Sequence, residues 1–169
     1  MQRADGIGQG IGVIVSTDVS PGENVAIVVD SVRNIFPEFP ALENDSLLSF
    51  PCENQKIPLQ SEGISLANFL DMAAQQRVLD TALDSMSGHL IDNESKFSIS
   101  RQAALAEKIS FVRKGENVLG GIITITLQGL QLAEWIEEAT WHPGRDAVPR
   151  KIRDELSMGE DGEPITWLD

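Results

Sequence analysis

The chain predicts an α+β fold: an antiparallel sheet of two or more hairpins, covered by a long helix and a second amphipathic helix. Three observations carry that reading. β-Branched runs at residues 11–17, 25–32 and 122–127 have strand composition, helical propensity runs through 66–90 and again through 130–141, and turn residues punctuate the segments between them. Strands and helices are grouped rather than strictly alternating, as expected when helices cover one side of an antiparallel sheet. At 169 residues the chain fits a single domain with a core of its own.

The first two β-branched runs are separated by Pro21-Gly22 within a polar stretch, which predicts a hairpin. Residues 34–63 contain Pro37, Pro40, Pro51 and Pro58 and hold no sustained period, so they read as a long connection. Such a segment serves either as a binding loop or as a packed crossover anchored by Phe36, Phe39, Leu47, Leu48 and Phe50. Ser65 is placed to cap the helix over 66–90. Its apolar stripe changes sides near Gln75, with Phe69, Leu70 and Ala73 on one face and Leu79, Ala82, Leu83 and Met86 nearly opposite. Good helix formers without Gly or Pro across the change favour one continuous helix packed against two layers.

Phe97 and Ile99 alternate as a strand does. Residues 102–112 fit a helix or a strand; the strand reading forms a hairpin with 122–127 across the turn at Lys114-Gly115-Glu116-Asn117. Gly120-Gly121 beside it predicts a bulge or a close backbone approach. Leu132, Trp135, Ile136 and Ala139 form the apolar face of the second amphipathic helix, opposite Glu134, Glu137 and Glu138. Val148, Ile152 and Leu156 predict a short last helix, followed by an acidic tail at 157–169.

Asp and Glu number 26 against 13 Lys and Arg, a net charge of -13. That excess repels nucleic acid and anionic membranes and speeds encounter with basic surfaces. The absence of Tyr and an aromatic content of 5% leave few stacking platforms for sugars or single-stranded nucleic acid. Cys52 is the single cysteine, so no intramolecular disulfide forms and a cysteine-rich metal site is excluded. Neither a secretory leader nor an apolar run of membrane-spanning length is recognisable, and the expected location is the cytoplasm.

Gly6, Gly8, Gly10 and Gly12 precede a strand rather than a helix, so they lack the context in which a glycine loop cradles phosphate. His89, Asp92 and Glu94 offer three metal-type donors within six residues, or else a solvated helix end; no metal or cofactor is assigned on them. Trp141-His142-Pro143-Gly144-Arg145-Asp146 is the densest chemistry in the chain. A type II turn at Pro143-Gly144 would bring His142 and Arg145 together beside the Asp146 carboxylate, either as an anion-binding or acid/base patch or as a simple helix corner. Arg145, Arg150, Lys151 and Arg153 reverse the local charge and are expected to pair with Asp146, Asp154 and Glu155 on their own helix.

These features favour a noncatalytic, acidic cytoplasmic interaction protein, such as an assembly chaperone, inhibitor, immunity protein or nucleic-acid mimic. Its partner is a protein with a basic surface, with Trp141 and Trp167 as apolar anchors and neither nucleic acid nor membrane as a direct partner. A homodimer would cover one half of the long helix. The alternative is a small enzyme or ligand-binding domain that uses His142, Arg145 and Asp146 on an anionic or polar metabolite.

Overall fold

A computed structural model describes residues 4–41 and 56–152. The element order is β1 (Gly12–Val19), α1 (Val25–Ile35), β2 (Ile57–Glu62), α2 (Ala67–Gln75), α3 (Leu79–Ser87), β3 (Glu94–Ser100), α4 (Arg101–Leu105), β4 (Phe111–Val112), β5 (Ile122–Gln128), α5 (Leu132–Ala139) and α6 (Gly144–Ala147). The fold is α+β. Among the described residues the strands form one five-stranded antiparallel sheet in the order β2-β1-β5-β3-β4. Alternation along each strand divides its two faces: Val13, Val15, Val19, Phe97, Ile99, Ile123, Ile125 and Leu127 are buried, whereas Ile14, Ser16, Ser98, Thr124 and Thr126 lie on the other face, half-buried. The buried face joins Val28, Val29, Val32, Leu70, Leu83, Met86 and Ile136 of the helices in one core cluster.

The predicted first hairpin is wrong in its second arm, because residues 25–35 are helical. Their β-branched composition suggested a strand, but their burial follows the helical period: Val25, Val28, Val29, Val32 and Ile35 turn inward and the residues between them do not all do so. Asn24 starts the helix. Its side-chain oxygen accepts from the N–H groups of Ala26 and Ile27, satisfying donors that a helix start otherwise leaves open. β1 pairs instead with β2 and β5, so the long connection contains an edge strand, while Phe36 and Phe39 anchor its beginning in the core. Leu47, Leu48, Phe50 and Cys52 lie outside the described residues.

The stripe that changes sides near Gln75 marks a break between α2 and α3, not a continuous helix. Arg77 is left-handed at φ 59°; its N–H bonds Ala74 O and that of Val78 bonds Ala73 O, the paired bonds of a Schellman ending. The Gln76 side chain exchanges two hydrogen bonds with the Ile109 backbone, fixing the break against the loop before β4. Residues 101–105 are likewise helical, with Ser100 as the cap of α4, and β4 pairs with β3 rather than β5. The predicted hairpin of 102–112 with 122–127 is therefore incorrect. β5 lies between β1 and β3.

Gly120 and Gly121 both have φ of 84°. A Cβ on Gly121 would run into the Arg101 guanidinium, so the expected close approach is to a buried side chain. Arg101 donates from Nε to Gly120 O at 2.8 Å, and from Nη1 to Thr17 Oγ1 at 3.1 Å and Asp18 O at 2.6 Å. Its Nη2 pairs with the Glu23 carboxylate. Three stretches of chain, at Thr17-Asp18, Glu23 and Gly120, thus meet on one cation. No helix among the described residues is long and apolar enough to cross a membrane.

Candidate functional site

Leu132, Trp135, Ile136 and Ala139 bury the inward face of α5, leaving Glu134 and Glu138 exposed. Trp135 is core; its indole N–H donates to Gln9 Oε1 at 2.8 Å, tying the glycine-rich turn at residues 6–10 to α5. Trp141, just beyond the end of α5, is 43% exposed. The chain around it is held on both sides. Thr140 is buried and its hydroxyl donates to Ile136 O, and the buried Arg145 guanidinium donates to Glu137 O at 3.0 Å and to Thr140 O at 2.8 Å.

The carboxylate at the centre of this cluster is Asp80 of α3, not Asp146, which is exposed beside it in sequence. His142 Nε2 donates to Asp80 Oδ1 at 3.0 Å, and Arg145 reaches the same oxygen from Nε at 3.1 Å and Nη2 at 3.0 Å. Partial burial raises the Asp80 pKa, but the hydrogen bonds from His142 and Arg145 and their positive charge outweigh it, holding the carboxyl below its ordinary value. One turn along α3, both oxygens of Asp84 accept from Arg150 Nη2 at 2.7 Å. Asp80 and Asp84 therefore strap residues 142–150 onto α3, whereas pairing within the last helix was expected. Arg153, Asp154, Glu155 and Trp167 lie outside the described residues.

Pro143 has φ -57° and ψ -28°, so Pro143-Gly144 opens the short α6 instead of forming a type II turn. Gly144 is required by the histidine: a Cβ there would lie 2.9 Å from His142 Cε1 and Nδ1. The predicted last helix marked by Val148, Ile152 and Leu156 is not formed over 148–152, because α6 ends before Val148; Leu156 and the acidic tail at 157–169 lie outside the described residues. Among the described residues no hydroxyl or thiol is hydrogen-bonded to His142. The arrangement orients an imidazole and fixes a turn, without supplying, among the described residues, a nucleophile for that imidazole to activate.

His89, Asp92 and Glu94 do not converge. Asp92 and Asn93 occupy left-handed positions of a tight turn closed by Ile91 and Glu94, and the Glu94 carboxylate accepts from Gln128 Nε2 at 2.9 Å. Among the described residues no group of three or more His, Cys, Asp or Glu side chains is gathered to hold a metal ion. Asp80, Glu23 and Arg101 carry the ion pairs that sequence reasoning did not select. The available signal was the i, i+4 spacing of Asp80 and Asp84, matched by two arginines five residues apart.

No family model matches the chain. It is similar to a UPF0201 protein of Sulfurisphaera tokodaii, 30% identical over 134 residues that cover 76% of this chain and 88% of the relative. A UPF0201 protein of Methanothermobacter thermautotrophicus is 28% identical over 111 residues, covering 66% and 77%. Among solved structures, that of a UPF0201 protein from Methanococcus jannaschii superimposes with a TM-score of 0.63 at 21% identity, covering 79% of this chain and 96% of that one.

Proposed function

Because the chain belongs to the UPF0201 family, a grouping that specifies no reaction, we propose from its own surface that it is a noncatalytic interaction protein that captures a basic protein partner. The observation that carries this reading is the setting of Trp141. A large aromatic side chain is exposed at the end of an acidic helix face, and its backbone is immobilised by the Asp80, His142 and Arg145 clamp. Glu134 and Glu138 follow one another at i and i+4 on the exposed side of α5, and Trp141 stands just beyond the C-terminal end of that helix. Pre-organisation of an aromatic anchor lowers the entropy lost on binding, and the surrounding carboxylates accelerate encounter with a cationic surface.

The reading includes a cytoplasmic location, no direct contact with nucleic acid or membrane, and a role as an assembly chaperone, inhibitor, immunity protein or nucleic-acid mimic. Catalysis centred on His142, Arg145 and Asp146 has less support, because Arg145 spends donors from Nε, Nη1 and Nη2 on Asp80, Glu137 and Thr140. Affinity capture from the native host should recover a basic protein whose binding weakens with salt. A Trp141→Ala chain and a Glu134→Lys, Glu138→Lys chain should each lose that protein. Recovery unchanged by both variants would overturn the proposal.

A further inference from the structure

The outer edge of β3 is incomplete. β4 pairs with it only through Ser98 with Val112 and Ile99 with Phe111, and the tight turn at Ile91 and Glu94 closes its other end. Between these closures, Lys96 turns its backbone N–H and C=O outward, in phase with Ser100, whose N–H bonds Ser110 O on that side. Two hollows meet at the resulting notch. One, of about 360 Å³, opens beside Lys96 and Ser98 on the sheet face opposite the helices; the other, of about 630 Å³, reaches Thr81 and Ser85 of α3. Both volumes fall in the range of small-molecule sites.

The two hollows share His89, Phe97, Val112, Arg113 and Lys114. Charge is what sets this notch apart in so acidic a chain. Arg101, Arg145 and Arg150 are spent on carboxylates, whereas Lys96, Arg113 and Lys114 have no ion pair among the described residues. The acids nearby are largely engaged: Glu116 Oε2 accepts the Arg113 N–H, and Asp84 is held by Arg150. The floor is apolar and partly aromatic, with the Phe97 and Phe111 rings 6.3 Å apart.

We propose that this notch is a binding site for a small phosphate monoester carrying a flat apolar body. The phosphate is met by the Arg113 fork and the Lys96 and Lys114 ammonium groups, with the outward Lys96 N–H as a further donor. The body lies against Phe97, Phe111 and Val112. A dianionic headgroup suits three basic side chains better than a single carboxylate does, and the aromatic floor distinguishes an ester from inorganic phosphate.

Titration of the full chain with phenyl phosphate, followed by amide NMR, tests the site, with inorganic phosphate and phenol as separate probes. Saturable shifts centred on His89, Lys96, Phe97 and residues 111–114 are expected, with binding at least about tenfold weaker for inorganic phosphate and for phenol. An Arg113→Glu, Lys114→Glu chain should bind phenyl phosphate at least about tenfold more weakly, and Lys96→Glu should do the same independently. All three side chains are exposed, so these variants should keep the wild-type spectrum elsewhere. No saturation up to about 10 mM, shifts centred outside the notch, or unchanged affinity in the charge variants would overturn the site. Equal affinity for inorganic phosphate would overturn the role of the aromatic floor.

Discussion

Arg101 and Arg145 are both buried guanidiniums that join distant stretches of chain, yet they do different work. Arg101 is 4% exposed and holds Thr17, Asp18, Gly120 and the Glu23 carboxylate, whose side chain is 29% exposed, around one corner. Arg145 is buried to a similar degree, but its acceptor Asp80 is 38% exposed, and the turn that it fixes carries an exposed tryptophan. The first cation stabilises the join between strands; the second sets the position of a surface. Burial of the cation alone does not separate these roles. What separates them is what each one ties down: the end of β1, the turn before α1 and the turn before β5 in the first case, and a turn that carries an exposed tryptophan in the second.

The largest effect should come from the closed corner. Arg101→Met removes donors from Asp18 O, Gly120 O and the Glu23 carboxylate together, and should cost about 3–5 kcal/mol in urea unfolding. A loss under about 1 kcal/mol would mean that water replaces the guanidinium freely and that the corner is not closed. Asp80→Asn should cost less, about 1–3 kcal/mol, because the carboxylate that it replaces is partly solvated and the amide oxygen still accepts one bond. If the two losses prove equal, the contrast between corner and clamp fails.

Acid sharpens the same contrast. Glu23 is raised by burial, but the Ser20 N–H, the Arg101 hydrogen bond and its charge more than reverse this, so its carboxyl, like that of Asp80, titrates below the ordinary value. A carboxyl depressed in the folded state contributes stability that is fully present above the unfolded pKa, near 4, and is lost as pH falls through the lower folded value. Wild-type stability should therefore fall below about pH 4. Glu23→Gln and Asp80→Asn should each flatten that fall when unfolding is measured from pH 6 to 2. A steeper acid limb in either variant would contradict the assignment.

The sheet and its helical cover were legible in the pattern because alternation and helical period both record which side chains meet the core. The phase change near Gln75 was legible too, but not its cause, since Arg77 is not a residue type that announces a left-handed helix end. α1 was misread because Val and Ile suit strands by composition, while Asn24 and the spacing of Val25, Val28, Val29 and Val32 specify a helix. His142 and Arg145 stood out because they are close in sequence. Asp80 lies more than sixty residues away, and nothing local to either partner records a contact made only by packing α3 against the chain after α5.

The smallest effect on stability should come from Trp141→Ala. The side chain is 43% exposed, so truncation forfeits only part of its packing, and the clamp beside it is built from the Thr140 backbone, His142, Arg145 and Asp80. A stability loss under about 1 kcal/mol is expected. Partner affinity should respond in the opposite proportion, falling by about 2 kcal/mol or more, roughly thirtyfold, if the indole is the buried centre of an interface. Asp80→Asn supplies the complementary test: it leaves the indole in place and loosens the turn beneath it, so it should weaken partner binding by a smaller factor while costing more stability. A Trp141→Ala chain that unfolds more readily than Asp80→Asn would place the indole among the supports of the fold, and the distinction between what is clamped and what clamps would be lost.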